Sequence, residues 1–153
     1  MAEPVDPSKK HFYISLTDYD ADGLTSHAVI TESLQRFGVS PENISHWIGH
    51  RLEDGYGISE TLVDRLLESL PVPQVVISAD CGSSDEVHIV RLKDAGVYVI
   101  VTDHHRLSDR GSPASALAVL NPNRADCRYP VKAIAGCLVS LFVMRFLRLR
   151  LID

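Results

Sequence analysis

The sequence has few cysteines and no spacing that would tie them together. Its 153 residues include three, Cys81, Cys127 and Cys137, an odd number with no CxxC pair. Neither a disulfide framework nor a structural zinc site is therefore indicated. This cysteine usage is typical of a protein from a reducing compartment.

Long apolar segments are also absent. Residues 1–10 lack the apolar core of a signal peptide, and we expect them to form a flexible, solvated tail. The longest apolar run, residues 133–144, is too short to span a bilayer and is followed by Arg145. We therefore expect a cytoplasmic protein without a membrane segment, in which this run forms a buried helix.

The chain has no excess of positive charge. It carries 15 basic and 20 acidic side chains, a formal net charge of −5, which argues against nucleic-acid binding by bulk charge alone. Residues 1–105 contain 7 basic and 17 acidic side chains, whereas residues 106–153 contain 8 basic and 3 acidic ones.

The length and the hydrophobic content of the chain are those of a globular protein. Its 153 residues, 45% of them hydrophobic, are enough for one domain with its own core.

Short apolar runs alternate with segments of helical periodicity along the whole chain. This alternation predicts an α/β fold, a parallel sheet of about five strands with helices on both faces. The strand order cannot be deduced from the pattern. The predicted strands are 11–16, 44–48, 74–79, 97–102 and 116–120, and the predicted helices are 24–37, 59–70, 84–95 and 132–148.

Polar clusters follow every predicted strand directly. Because the carboxyl ends of parallel strands form one edge of a sheet, where ligands bind, we expect these clusters to converge on a single crevice. The clusters are 17–23 (TDYDADG), 49–57 (GHRLEDGYG), 80–84 (DCGSS), 103–106 (DHHR) and 121–124 (NPNR).

Carboxylates and imidazoles dominate these clusters. Several carboxylates in one crevice repel each other unless a cation lies among them. Carboxylate with imidazole suits Mn²⁺, Mg²⁺ or Zn²⁺, and the oxygen-rich balance favours Mn²⁺. If the chain is extended there, Asp20 and Asp22 would face two adjacent ions, an arrangement that supports phosphodiester hydrolysis. The candidate residues are Asp18, Asp20, Asp22, Asp80, Asp103, His104 and His105.

Each residue taken singly also has a purely structural interpretation. DYDADG is compatible with an ordinary turn or, given a glutamate at the twelfth position between two helices, with a calcium loop. Asp80 alone would be the cap of the next helix, and the two histidines a loop pair without ligands. Cys81 is typical of a small buried residue, and His50 and Arg51 of a solvated loop. Only their joint occurrence at successive strand ends favours a metal site.

The motifs TDYDADG, DCGSSD and VTDHH resemble those of the DHH phosphoesterase superfamily, named for its Asp-His-His. HRLEDGYG, NPNRADCRYP and AIAGCLV are similar to segments of the RecJ single-strand-specific exonucleases. The resemblance runs from about residue 13 to residue 146. It implies a two-domain enzyme whose N-terminal α/β domain binds two Mn²⁺ ions, with Mg²⁺ as a possible substitute. Such enzymes remove nucleotides from single-stranded DNA in the 5′ to 3′ direction, in recombination and repair.

The resemblance also implies roles for the metal-binding residues. Asp20 and Asp22 would each bind one ion, Asp80 would bridge the two, and His104 would be a direct ligand. Asp103 would orient the cluster from behind the ligands.

Further residues would contact the substrate. His105 would bind either the scissile phosphate or a metal ion. Arg51, whose guanidinium can form two parallel hydrogen bonds, would hold a phosphate, and Asn121 would contact the nucleic acid. The implied catalytic set is Asp20, Asp22, Asp80, Asp103, His104 and His105.

Two departures from the superfamily pattern stand out. Leu16 occupies the position where the first motif usually has a metal-binding histidine, so Asp18 becomes a candidate ligand. The family's last ligand aspartate and its second, DHHA1-type domain have no counterpart in these 153 residues. We therefore expect residues 11–153 to form an incomplete DHH domain with weak metal binding and little activity, part of a longer enzyme whose missing C-terminal portion completes the DNA groove.

Two other functions stay open. One is a DHH phosphodiesterase of short oligonucleotides or cyclic dinucleotides, against which the RecJ-like segments count. The other is an inactive scaffold or binding module, which Leu16 favours. In the exonuclease interpretation, basic residues near the C-terminus line the DNA groove, although a solvated helix face is an equal alternative for some. These residues are Arg124, Arg128, Lys132, Arg145, Arg148 and Arg150.

Overall fold

The computed structural model describes residues 13–50, 52, 54–69 and 71–151. The expected tail at residues 1–10 and the predicted phosphate contact Arg51 lie outside these described residues. The strands are β1 (Tyr13–Thr17), β2 (Ile44–Ile48), β3 (Val75–Ala79), β4 (Tyr98–Thr102) and β5 (Ala118–Leu120). The α-helices are α1 (Ala21–Arg36), α2 (Glu60–Glu68), α3 (Glu86–Asp94) and α4 (Gly136–Leu151), and a 3₁₀ turn spans Pro41–Asn43.

The strands form one parallel sheet in the order β2-β1-β3-β4-β5, which confirms the predicted α/β class. The chain runs from β1 outward to β2 and then crosses back past β1 to β3. The direction of winding therefore reverses between β1 and β3, and such a switch point opens a crevice at the carboxyl ends of the strands. Asp18 follows β1 and Asp80 follows β3, so both lie at this crevice.

Helices cover both faces of the sheet, as predicted. Fully burying a leucine or isoleucine side chain stabilises a fold by about 1.5–3 kcal/mol, so these two layers are the main source of stability. One layer joins α1 and α4 to the sheet through Ile30, Leu34, Ile77, Val143 and Met144. The other joins α2 and α3 to the opposite face through Leu62, Leu66, Val76, Ile89, Leu92 and Val99.

Helix α1 begins three residues before its predicted start. The side chain of Asp20 accepts hydrogen bonds from the backbone N–H groups of Asp22 and Gly23, both at 2.9 Å, and so caps the helix. The condition that the chain is extended from Asp20 to Asp22 is not met, because Asp22 lies in the first helical turn. A calcium loop between two helices is also ruled out, since β1 precedes the segment.

The starts of α3 and α4 were predicted too early. Helix α3 begins at Glu86 with Asp85 at its N-cap position, so Asp80 is not the cap of this helix. Helix α4 begins at Gly136 rather than residue 132, and in the turn before it the backbone oxygen of Ile134 accepts a hydrogen bond from His104 Nδ1. No helix among the described residues is long and apolar enough to cross a membrane.

Candidate metal centre

Two groups of ligand atoms meet at the carboxyl edge of the sheet, and they share one residue. Asp18, Asp20 and Asp80 form the first group, and Asp80, His104 and His105 form the second. Within each group the ligand atoms lie within 4.8 Å of one another. The loops after β1, β3 and β4 supply these side chains, so the predicted convergence of these three clusters is present in the structure.

Asp80 is the most unusual of these residues. It is 0% exposed, and its backbone has φ of 63°, the only left-handed conformation of a non-glycine residue in the described part of the chain. Neither carboxylate oxygen accepts a hydrogen bond from any described residue. Burial, followed by the negative charge of Asp22, raises the pKa of Asp80 to about 7. A buried carboxylate without partners is costly, and a bound cation would remove that cost.

His104 turns its Nε2 toward this carboxylate. Its Nδ1 lies 2.6 Å from the carbonyl oxygen of Ile134, which can only accept, so Nδ1 carries the proton. Nε2 then lies 2.9 Å from Asp80 Oδ1 and 3.6 Å from Asp22 Oδ2. In the neutral ring, Nε2 therefore directs its lone pair at two carboxylates. Metal-binding histidines characteristically donate their second nitrogen to a backbone carbonyl, as His104 does.

Asp22 connects the crevice to the first turn of α4. Its Oδ2 accepts from the N–H of Gly136 at 2.7 Å, and its Oδ1 accepts from the N–H of Cys137 at 3.0 Å. Burial alone would raise the pKa of Asp22, but these backbone hydrogen bonds and the nearby His104 outweigh it and lower the pKa. Asp22 therefore stays ionised beside His104.

Asp103 lies behind the two histidines. Its Oδ1 accepts from the N–H groups of His104 at 2.7 Å and His105 at 3.0 Å, and Oδ2 accepts from the N–H of Ser83 at 3.0 Å. Burial would raise the pKa of Asp103, but the hydrogen bonds from His105 and Ser83 lower it overall. Both oxygens are thus engaged within the protein, and this carboxylate fixes the turn that carries the histidines.

His105 is held by two partners at one ring nitrogen. Nδ1 lies 2.8 Å from Asp103 Oδ1 and 2.8 Å from the hydroxyl of Tyr56. Burial would lower the pKa of His105, but the hydrogen bond to Asp103 and the charges of Asp103, Asp80 and Asp18 raise it overall. The proton on Nδ1 is therefore directed at Asp103.

Tyr56 belongs to the DGYG segment, but the residue pattern alone assigned it no role. Besides its contact with His105, its hydroxyl donates to the backbone oxygen of Asp80 at 3.4 Å. Its ring meets that of His105 edge to face, with centroids 5.4 Å apart, and the side chain stays half exposed at the crevice. The only indication of this role in the sequence is that Tyr56 lies in a polar cluster that follows a predicted strand.

The asparagines of the NPN segment, residues 121–123, hydrogen-bond to the turn that carries His104 and His105. Asn121, expected to contact nucleic acid, is 4% exposed and donates from Nδ2 to the backbone oxygen of His105 at 2.9 Å and to Ser83 Oγ at 2.8 Å. Its Oδ1 accepts from the N–H of Asn123 at 2.8 Å. Asn123 in turn donates to the backbone oxygen of His104 at 2.6 Å. In the structure, the side-chain amide of Asn121 therefore forms its hydrogen bonds with other groups of the protein.

The structure also shows the surroundings of three further residues that the sequence analysis named, Leu16, Cys81 and Arg124. Leu16 is buried in the core beside α2, and Cys81 is a small buried residue, as predicted. Burial raises the pKa of the Cys81 thiol well above its usual range. The guanidinium of Arg124, one of the basic residues expected at the DNA groove, pairs with Asp126 at 2.7 Å.

The comparisons with known proteins identify the family of the chain. The family described as the DHH family, N-terminal domain, matches residues 12–150. The single-stranded-DNA-specific exonuclease RecJ of Salmonella typhimurium is 38% identical over 140 residues, which cover 92% of this chain and 23% of that protein. RecJ of Escherichia coli is 37% identical over the same length. The chain thus spans about a quarter of the length of these curated relatives.

Solved structures match the same part of the chain. A crystal structure of exonuclease RecJ bound to manganese has a TM-score of 0.77 and 32% identity, covering 93% of this chain and 34% of that one. RecJ of Thermus thermophilus in complex with Mn²⁺ has a TM-score of 0.70 and 26% identity, covering 93% of this chain and 19% of that one. From the family match and the shared fold, the chain belongs to the DHH family and carries its N-terminal domain.

Proposed function

We propose that this chain binds two divalent metal ions and hydrolyses phosphodiester bonds, as part of a RecJ-type enzyme that degrades single-stranded DNA from the 5′ end. Mn²⁺ is the proposed ion, with Mg²⁺ as a substitute, and recombination and repair are the proposed setting. One observation carries the proposal. The buried carboxylate of Asp80 has no hydrogen-bond partner among the described residues and belongs to two groups of ligand atoms at once.

The donor set suits the proposed ions. Carboxylate oxygens with one or two neutral imidazoles match the preferences of Mn²⁺, and Mg²⁺ accepts the oxygen ligands. In this proposal Asp18, Asp20 and Asp80 would hold one ion, and Asp22, Asp80 and His104 would hold the other. The assignment follows from which ligand atoms lie close together.

The ions, when bound, would supply Lewis-acid stabilisation of the phosphate and a nucleophilic water at neutral pH. The chain's own residues prepare the site. Asp103 holds the turn of both histidines, and the first amides of α4 fix the carboxylate of Asp22. His105 holds a proton at Nδ1, directed at Asp103, which fixes the orientation of its ring at the crevice.

A scaffold that binds no metal accounts poorly for Asp80. A left-handed backbone at a non-glycine residue costs about 1–3 kcal/mol, and a buried carboxylate without a hydrogen bond from the described residues adds a desolvation cost when it ionises. Such a residue persists where the surrounding structure holds it for a function. This argument supports metal binding over a purely structural role.

A calorimetric titration with MnCl₂ tests the metal site. The wild-type chain is expected to bind Mn²⁺, whereas Asp80→Asn loses binding and Asp94→Asn, at the far end of α3, retains it. No heat of binding by the wild-type chain at millimolar Mn²⁺ would contradict the proposal.

An activity assay then separates the possible substrates. With Mn²⁺, the chain is expected to shorten a 5′-phosphorylated single strand of DNA from its 5′ end at a low rate, as expected of an incomplete domain. Hydrolysis of dinucleotides alone would instead identify a phosphodiesterase of short oligonucleotides. Metal binding without even slow hydrolysis of either substrate would favour the scaffold.

A further inference from the structure

A second cavity, of about 470 Å³, adjoins the metal centre on the side of His104. Its wall is formed by His104, Arg106, Asn123, Lys132 and the turn at residues 133–135. His104 belongs to both places, because its Nε2 faces Asp80 while its ring borders the cavity. The cavity and the metal centre are therefore neighbours that share the His104 side chain.

The charge of the cavity is opposite to that of the metal centre. Arg106 and Lys132 contribute two cations, and no acidic side chain is among the described residues that line it. The neighbouring centre gathers aspartates, in a chain whose formal net charge is −5. A local cluster of cations in an acidic protein is an electrostatic site for an anion.

The two cations are suited to binding in different ways. Lys132 donates from Nζ to the backbone oxygens of Pro122 at 2.6 Å and Cys127 at 2.9 Å, which fixes its ammonium group and leaves a third N–H for a ligand. Arg106 follows the histidine pair directly, and its side chain is exposed at the cavity. A guanidinium can hold a phosphate through two parallel hydrogen bonds.

We propose that this cavity, the Arg106–Lys132 pocket, binds the phosphate group that adjoins the scissile one along a single-stranded nucleic acid. The inference rests on the proposed function and names a substrate contact for it. A single strand repeats its phosphates at every nucleotide, so two neighbouring anion sites select a polymer over a ligand with one phosphodiester. The pocket would thus favour oligonucleotides of several nucleotides over dinucleotides.

The test measures oligonucleotide binding by fluorescence anisotropy. A labelled single strand of eight thymidylates is titrated with the full chain in Ca²⁺ instead of Mn²⁺, and gel electrophoresis verifies that the strand stays intact. Arg106→Gln is expected to weaken binding about fivefold, because one charge-assisted phosphate contact is lost. The slope of log K against log salt should also fall by about 0.7 in magnitude, the value for one phosphate contact on a single strand.

Matched variants show whether the effect belongs to the pocket. Arg110→Gln removes the same charge from an exposed position four residues further along, outside the residues that line the cavity, and should change affinity less than twofold. Arg106→Lys keeps the charge and should restore part of the affinity. Equal effects of Arg106→Gln and Arg110→Gln would overturn the proposal, as would no effect of either or no binding by the wild-type chain.

A ligand with one phosphodiester separates this proposal from the proposed function. The dinucleotide d(TpT) is expected to lose less than twofold in affinity with Arg106→Gln, because its only phosphate occupies the metal centre. An equal loss for d(TpT) and the longer strand would contradict an adjoining-phosphate site. The MnCl₂ titration of the wild-type chain decides independently whether the metal centre exists.

Discussion

The carboxylate of Asp80 occupies the space next to Gly136 where a side chain would begin. A Cβ atom on Gly136 would lie 2.5 Å from Asp80 Oδ1, closer than real contacts allow. Gly136 is also the first residue of α4, and its N–H donates to Asp22 at 2.7 Å. The missing side chain therefore lets the positive end of a helix approach two carboxylates at once.

We expect Gly136→Ala to weaken Mn²⁺ binding about tenfold, the lower end of the effect of disturbing the surroundings of metal ligands. The added methyl group has to displace either Asp80 or the start of α4. Gly49→Ala is a matched control, because its Cβ would meet its nearest neighbour, the Thr17 carbonyl oxygen, at an ordinary 3.6 Å. Calorimetric titration of both variants measures the difference, and wild-type affinity in Gly136→Ala would contradict the close contact.

Asp80→Asn should stabilise the metal-free protein while it removes Mn²⁺ binding. The pKa of Asp80 in the folded protein, about 7, lies above the usual 3.8. The folded state therefore binds more protons than the unfolded state between these values, so stability decreases as the pH rises to about 7 and is then constant. At pH 8 we expect a gain of about 2 kcal/mol from the substitution, since asparagine also tolerates the left-handed backbone.

Thermal unfolding in EDTA at pH 5 and pH 8 measures this gain. The advantage of Asp80→Asn over the wild-type protein should be larger at pH 8 than at pH 5. An equal difference at both pH values would show that Asp80 does not carry the expected electrostatic cost.

Mn²⁺ affinity should fall as the medium becomes more acidic than about pH 7. The metal has to displace the proton of Asp80, so the apparent affinity should decrease about tenfold per pH unit below the pKa of that residue. Calorimetry in two buffers with different ionisation enthalpies should detect release of about one proton at pH 6. A constant affinity for Mn²⁺ from pH 6 to pH 8 would contradict this prediction.

The asparagines of the NPN segment should differ in importance. Asn121→Ala leaves the backbone oxygen of His105 and the hydroxyl of Ser83 without a partner in a buried place, so we expect a loss of about 1–3 kcal/mol in unfolding free energy. Asn123→Ala removes one contact to the backbone oxygen of His104 in a half-buried place and should cost less. Chemical denaturation ranks the two, and a larger loss for Asn123→Ala would refute the proposed bracing role of Asn121.

The sequence predicted the fold class because each element has a local signal. β-Branched runs such as β3 and β4 have no polar alternation, and glycines such as Gly38 and Gly96 follow the ends of helices. Strand order has no such local signal, since it depends on how crossovers cover the faces of the sheet. The start of α1 was misplaced because its cap, Asp20, is also a candidate ligand of the metal centre.

The candidate site could be predicted from the sequence to the extent that its side chains are of types that bind metal ions. Aspartates and histidines at strand ends indicated the metal centre, and the structure brings them together. The carbonyl of Ile134, which sets the proton position on His104, has no sequence signature because every residue has a carbonyl. For the same reason, a polar residue such as Asn121 does not reveal from sequence whether it faces a ligand or the protein.

Anomalous diffraction from crystals grown with Mn²⁺ tests the metal centre most directly. We predict two peaks about 3.5–4 Å apart, the separation of two-metal phosphoesterase sites, both within coordination distance of the Asp80 carboxylate. The absence of any manganese peak beside Asp80, with the metal at millimolar concentration, would contradict the account.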